Sequence, residues 1–408
     1  MARYKSKTGI FVDIQNIGKN NRLLAVKEEE SIEKIRQGIW LKKGSLDLNQ
    51  GNFTNYYDLY YDQCQPDIAP NIFSTNNPFY LFNQVRSNPE IIGSINGAFY
   101  FLTDFAERYP LDLQYDLCIR DYKIKGLPSE DQPIAFIEEG KINFLNSKAQ
   151  GLIKIGNKML SWVGSKSKKS DGRNFDAILY NSKCSNIIRF REEENNIQIG
   201  VLDSENITTL KGTEIIDLVI NADKNNDLKI ADIKKGGGTH FFNGLFILQI
   251  KFNQFDFKIN DSVNPLTLDN LKLENVSSAI TIGRSVHDKF YLDPERKYIR
   301  DARSLVAEDK LGNIHFIVFD GSKYIPGFKG PTTQEVSSII KKNGFRYAYF
   351  LDGGGSSRLI ARDAKKIRSF ANEFAFRKFK YGKFLWDWER ARLIASSISL
   401  KINSRKQS

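Results

Sequence analysis

The chain has 408 residues, of which 41% are hydrophobic and 12% aromatic, with a formal net charge of +12. That composition supplies one large core or two medium ones and excludes a disordered chain. No stretch reaches the roughly 20 apolar residues of a membrane span, and residues 1–11 (MARYKSKTGIF) lack the apolar run of a secretory signal, so a soluble protein without an export address is expected.

The basic excess is spread along the chain, with modest clusters at 166–173 and 365–383. No nucleic-acid recognition motif accompanies it, so an anionic substrate or surface explains the sign and no specific nucleic-acid recognition is expected. Cys64, Cys118 and Cys184 are odd in number, widely spaced and free of any CxxC pattern. They read as buried thiols without a disulfide framework.

In chain order, residues 28–37 (EEESIEKIRQ) begin with acid and end with base, which predicts a helix. Short apolar runs then predict strands at 91–95, 134–138, 177–180, 215–220, 245–252, 314–319 and 348–351, several of them closed by Gly or Asn-Gly. A helix is expected at 103–109. A stronger one lies at 333–342 (TQEVSSIIKK), with Thr332 or Thr333 as cap, Val336, Ile339 and Ile340 on one face, and Gly344 at its end. Asp223 to Asp227 mimics the start of a calcium loop, but Leu228 stands where Gly belongs and Lys234 where Glu belongs, which favours a polar turn. The near-alternating aromatics Phe374, Phe376, Phe379, Tyr381, Phe384, Trp386 and Trp388 suit a strand pair covering the core better than a sugar-stacking surface. These elements predict an α+β fold, a strand-rich mixed sheet packed with a few helices. Residues 1–90 read as a strand-and-loop lead-in, and 91–402 as the main domain with an insertion at about 185–261.

The sharpest chemical feature is Tyr349-Phe350-Leu351-Asp352-Gly353-Gly354-Gly355-Ser356-Ser357, an apolar strand followed by a carboxylate, three glycines and two hydroxyls. Consecutive glycines let backbone N–H groups approach an anionic oxygen, while the carboxylate suits a sugar hydroxyl, a water or a cation. Upstream, Phe319-Asp320-Gly321 ends another apolar strand, and the capped helix carrying Glu335 lies between the two. Strand, helix and strand in that order can bring Asp320, Glu335 and Asp352 to one cleft. Arg303 precedes the first of these strands and is a permanent cation able to grip a phosphate with two N–H groups. His240, His287 and His315 are scattered and form no metal or triad pattern.

Together with Ile95-Asn96-Gly97-Ala98-Phe99-Tyr100 and the Glu389-Arg390 pair before the last strand, these motifs resemble the phosphodiester glycosidase family in order and spacing over residues 96–402. Leu351 to Ser357 carries most of the resemblance. Ala98 stands in place of a usual glycine, Ser304 in place of a usual threonine, and the central insertion is long. The resemblance implies hydrolysis of the bond between a sugar C1 and an esterified phosphate, a leaving group that depends little on a protonating acid. It implies Arg303 as phosphate clamp, with Gly353, Gly354, Gly355, Ser356 and Ser357 as further donors. Glu335 or Asp352 would activate water or stabilise the sugar cation, with Asp320 as the third candidate. Asn96 and Gly97 would meet sugar hydroxyls, and Arg390 would either contact substrate or serve as an ion-pair partner. The motifs assign no cofactor, and a divalent cation beside Asp352 is compatible with the pattern. The competing reading is a catalytically silent glycan-binding or structural component of a larger assembly, such as a phage particle, with the first 90 residues, the insertion and the aromatic, basic tail as contact surfaces for partner proteins.

Overall fold

The computed structural model describes residues 3–5, 10–13, 24, 25, 27–97, 117–167, 175–181, 190–193, 196–199, 208–251, 256–289, 299–321, 327–364, 366–370 and 394–403. The expectations placed on Ala98, Phe99, Tyr100, the helix at 103–109, Cys184, the aromatic run and the Glu389-Arg390 pair fall outside them. The α+β expectation is corrected, because the described chain is overwhelmingly β: its α-helices are Leu81–Ser87 and Thr333–Lys342, set among sheets of five, five, six and seven strands.

The helix expected at 28–37 is instead the strand Ser31–Arg36, which forms a hairpin with Ile39–Asp47. Gly38, at φ +72°, makes the reversal. Ile35 packs against the core while Ile32 stays 62% exposed, so two isoleucines three residues apart point to opposite faces, as on a strand. The helix at Leu81–Ser87 escaped notice because its buried side chains, Leu81, Phe82 and Val85, fill barely two turns.

Two sheets face one another. The six-stranded sheet runs in the order Tyr347–Phe350, Arg303–Glu308, Asn313–Phe319, Phe53–Asp62, Ile39–Asp47, Ser31–Arg36. The five-stranded sheet opposite runs Ile367–Phe370, Leu359–Arg362, Ile91–Asn96, Ile394–Ile402, Ile68–Phe79. Tyr57, Leu59, Phe316 and Val318 of the first pack with Ile72, Ile95, Leu359 and Ile398 of the second. Each sheet buries its other face beneath a helix. Leu81, Phe82 and Val85 cover Ile91 and Ile360, and Val336 and Ile340 cover Leu305, Ile317 and Phe350. The order is therefore helix, sheet, sheet, helix.

A second core, including Trp162, Leu179, Leu218 and Leu248, fills the space between a further five-stranded sheet and a seven-stranded one. Lys211–Ala222, Leu228–Gly237 and Phe246–Lys251 are strands of that seven-stranded sheet. Asp223 to Asp227 forms the turn between the first two. The Asp223 carboxylate accepts the amides of Asn225 and Asp227 and pairs with Lys229 at 2.8 Å, which makes it a polar turn closed by its own donors. Of the thiols, Cys118 is buried but Cys64 is exposed, so the expectation of buried cysteines holds only for the former. No helix among the described residues is long and apolar enough to cross a membrane.

Candidate active site

Antiparallel pairing delivers the motif residues to one edge of the six-stranded sheet. Arg303 is in register with Phe319, and Leu305 with Phe350. The strand Arg303–Glu308 therefore starts where both neighbours end, and Arg303 lies between Asp320 and Asp352 in strand order. The strand–helix–strand unit has its expected order, with Arg303–Glu308 inserted between its two parallel strands.

The opposing sheet reaches the same place through Asn96 and Gly97. The Asp352 amide donates to Gly97 O at 3.0 Å, and the Gly97 amide to Ser396 O at 2.8 Å. Asn96 is fully buried. Its Oδ1 accepts from Ser304 Oγ at 2.7 Å and from the Arg358 amide at 3.0 Å, while its Nδ2 donates to Asp352 O at 2.7 Å. The side chain expected to meet a sugar hydroxyl ties together three segments of the two sheets. Every polar atom of its carboxamide has a protein partner, as burial requires.

The glycine turn is equally constrained. Gly354 has φ +58°, which favours glycine, and a Cβ there would lie 2.9 Å from Asp301 Oδ2. The Gly354 amide donates to Ala302 O at 2.9 Å, and the amides of Ser356 and Ser357 turn back to Gly353 O and Gly354 O. Those three amides are thus committed to the protein, which narrows the expected set of anion donors. Gly353 lies against Arg303, where a Cβ would be 3.6 Å from Nη1. Arg303 itself is half-buried and donates from Nη2 to Ile299 O at 2.9 Å. Ser356 and Ser357 are buried, and their hydroxyls have no hydrogen-bond partner among the described residues.

The three carboxylates do not share one environment. Asp352 is half-buried at the turn. Asp320 is 1% exposed, and its Oδ1 accepts the Gly321 amide at 2.7 Å. Glu335 sits in the first turn of its helix, where it closes a capping box with Thr332. Both Glu335 oxygens accept from Arg300, and the amides of Thr332 and Asn49 add bonds of 2.9 Å each. Burial pushes this carboxyl up, but those donors outweigh it and hold its pKa below the ordinary value.

Arg300 was not among the sequence candidates, and neither were Asn49, Asp301 or Arg358. Arg300 stands three residues before Arg303, and Arg358 directly follows Ser357. Proximity to the motif was the only signal for Arg300, Asp301 and Arg358, and Asn49 had none, since its partners Glu335 and Arg300 are more than 250 residues away. Arg300 also donates to Gly330 O at 3.1 Å. Gly330 packs against both Gly321 and Asp301, where added Cβ atoms would lie well inside contact distance of backbone. The Arg300–Glu335 pair thus adjoins the glycine turn through Gly330 and Asp301. Beside the pair, between the hairpin turn at 48–52 and the helix, opens a cavity of about 390 Å³. Glu335 and Arg300 line it, whereas Asp320, Asp352 and Arg303 do not.

The histidines remain apart. His240 forms an isolated bridge with Thr208, and His287 bonds Ser337 at 2.8 Å. His315 is buried with Nδ1 3.0 Å from both Asp58 oxygens. Among the described residues, no group of three or more His, Cys, Asp or Glu side chains is placed to hold a metal ion.

Residues 221–383 match the family model for phosphodiester glycosidases, a span that includes Arg303, Asp320, Glu335 and Asp352. Among curated proteins none matches this chain. The fold is similar to that of a hypothetical protein from Synechocystis, with 13% identity and a TM-score of 0.56 over 93% of this chain and 65% of that one. A putative exported protein from Burkholderia pseudomallei K96243 aligns at 13% identity and a TM-score of 0.48, covering 86% of this chain and 74% of that one. The catalytic domain of zebrafish N-acetylglucosamine-1-phosphodiester alpha-N-acetylglucosaminidase, auto-inhibited by its pro-peptide, aligns at 10% identity and a TM-score of 0.38, covering 93% and 89%.

Proposed function

With residues 221–383 matching the phosphodiester glycosidase family, we propose that this protein hydrolyses the bond between the C1 of a sugar and an esterified phosphate. The observation that carries this reading is the position of Arg303 between the ends of the Asp320 and Asp352 strands, against the glycine turn. A guanidinium beside backbone amides is a fitting cradle for a phosphodiester, and a half-buried carboxylate next to it can serve the sugar side.

In this reading Arg303 holds the phosphate, with the amides of Gly353 and Gly355 as further donors. The Ser356 hydroxyl, buried in the same turn without a hydrogen-bond partner among the described residues, is a further donor on this side of the site. Asp352 activates the attacking water or stabilises the positive charge that develops at C1. Water adds to C1, the C1–O bond breaks, and the phosphate departs as a monoester already able to carry the electron pair. Asp320 and Glu335, both held by protein donors, act as positioning residues, Asp320 by setting the Gly321 turn and Glu335 by fixing the helix to the 48–52 turn.

The test is incubation with an N-acetylglucosamine-1-phosphodiester and a panel of other sugar-1-phosphodiesters, with and without divalent cations. Release of free sugar by the wild type and its loss in Asp352→Asn is the expected result. Folded protein that releases no sugar from any member of the panel would overturn the reading.

A further inference from the structure

The cavity beside the Arg300–Glu335 pair has a chemical character of its own. Arg300 and Glu335 neutralise each other, and Asp47, at the rim, is paired with Lys27. What remains for a ligand is uncharged: the carboxamides of Asn49, Gln50 and Gln334, the Ser338 oxygen as an acceptor, since its hydroxyl donates to Gln334 O at 3.0 Å, and apolar surface from Leu48 and Ile339. The helix end that opens onto it does not attract an anion, because the Glu335 amide already donates to Thr332 Oγ1 at 3.1 Å and the Glu335 carboxylate occupies the cap. Amides and hydroxyls over an apolar floor suit a hydroxyl-bearing ring, which offers donors, acceptors and C–H faces together. The volume, about 390 Å³, falls in the range of small-molecule sites, about 300–1,000 Å³.

We propose that this cavity is a subsite for an uncharged sugar ring. It rests on the hydrolase reading for its place in the reaction. The contacts from Glu335 through Arg300, Gly330 and Asp301 to Gly354 set it beside the turn assigned to the phosphate. One end of the sheet then presents two adjoining surfaces, a cationic one for the phosphodiester and a neutral one for a sugar attached to it. The Arg300–Glu335 pair serves as the wall between them, since a guanidinium fully engaged by a carboxylate does not compete with Arg303 for phosphate.

The test uses the whole chain and its Ser338→Trp and Gln334→Ala variants, both at exposed helix positions that tolerate substitution. N-acetylglucosamine and glucose are titrated and followed by ligand-observed magnetic resonance, then challenged with inorganic phosphate. The expected result is sugar binding by the wild type, weakened at least about tenfold by Ser338→Trp and about threefold by Gln334→Ala, with phosphate failing to displace the sugar. Sugar affinity unchanged in both variants, no sugar binding by the wild type, or displacement by phosphate would overturn the proposal. Hydrolysis is assayed alongside. Hydrolysis abolished by Asp352→Asn but indifferent to Ser338→Trp keeps the hydrolase and removes the subsite. Sugar binding lost in Ser338→Trp, by a protein that cleaves no phosphodiester, does the reverse.

Discussion

Arg300 and Glu335 meet through two parallel hydrogen bonds, Nη1 to Oε2 at 2.8 Å and Nη2 to Oε1 at 3.0 Å. Removing the charge from one partner leaves the other buried without compensation. Glu335→Gln should therefore cost about 2–4 kcal/mol, read as a lower midpoint in denaturant unfolding. Because the folded chain holds this carboxyl below its ordinary 4.5, the contribution is complete above that pH and is lost as the pH falls through the depressed folded value. The variant should show a flatter stability profile on the acid side; an unchanged profile would mean that the pair contributes nothing.

Asp352→Asn should behave in the opposite way. We expect about 10²–10⁴-fold loss of sugar release, as for removal of an acid–base group, with little change in Tm. Arg303→Lys should raise KM more than it lowers kcat, since an ammonium keeps the charge but not the fork. A variant of either residue that unfolds before it loses activity would assign it to the scaffold.

Asn96→Ala removes a carboxamide that serves Ser304, Arg358 and Asp352 at once. Leaving those buried groups unpaired should cost about 2–4 kcal/mol. Asn96→Asp should be no better, because a carboxylate cannot donate to Asp352 O. Unfolding curves of the two variants decide this, and a cost below about 0.5 kcal/mol in both would be incompatible with the network described.

His315 is buried beside Asp58, with Asp309 3.5 Å from its other nitrogen. Burial lowers its pKa, but the two carboxylates more than offset that and raise it above the usual 6.5. Its protonation thus stabilises the fold in full below pH 6.5, and that stabilisation is lost as the pH rises through the raised folded value. Tm measured between about pH 5.5 and 8.5 should fall on the alkaline side in the wild type and fall less in Asp58→Asn, where Asp309 alone remains.

The legible part of this fold is local. The helix Thr333–Lys342 announced itself through its threonine cap, its apolar face and Gly344, and the strand ends at Asp320 and Asp352 through the glycines after them. The phosphodiester glycosidase motifs from Arg303 to Ser357 fall within the match over residues 221–383, whereas Asn96-Gly97 and Glu389-Arg390 lie outside it. What stayed illegible depends on distant pairing. EEESIEKIRQ has charges that suit a helix, and only Ile39–Asp47, on the far side of Gly38, makes it a strand. Asn96 looked like a ligand contact because its partners, Ser304, Arg358 and Asp352, are more than two hundred residues away. Fold class failed for the same reason: strands are counted correctly only when their partners are known.

The tie between Asn96 and Asp352 spans 256 residues, and the strand Ile394–Ile402 lies between Ile68–Phe79 and Ile91–Asn96 in its sheet. Until that strand arrives, Ile91–Asn96 and Ile68–Phe79 have no common neighbour, and Gly97 lacks the Ser396 carbonyl. Such pairings close long loops and are entropically late. Refolding should therefore recover bulk β-structure before it recovers the cleft, so that any catalytic competence returns as the slowest signal.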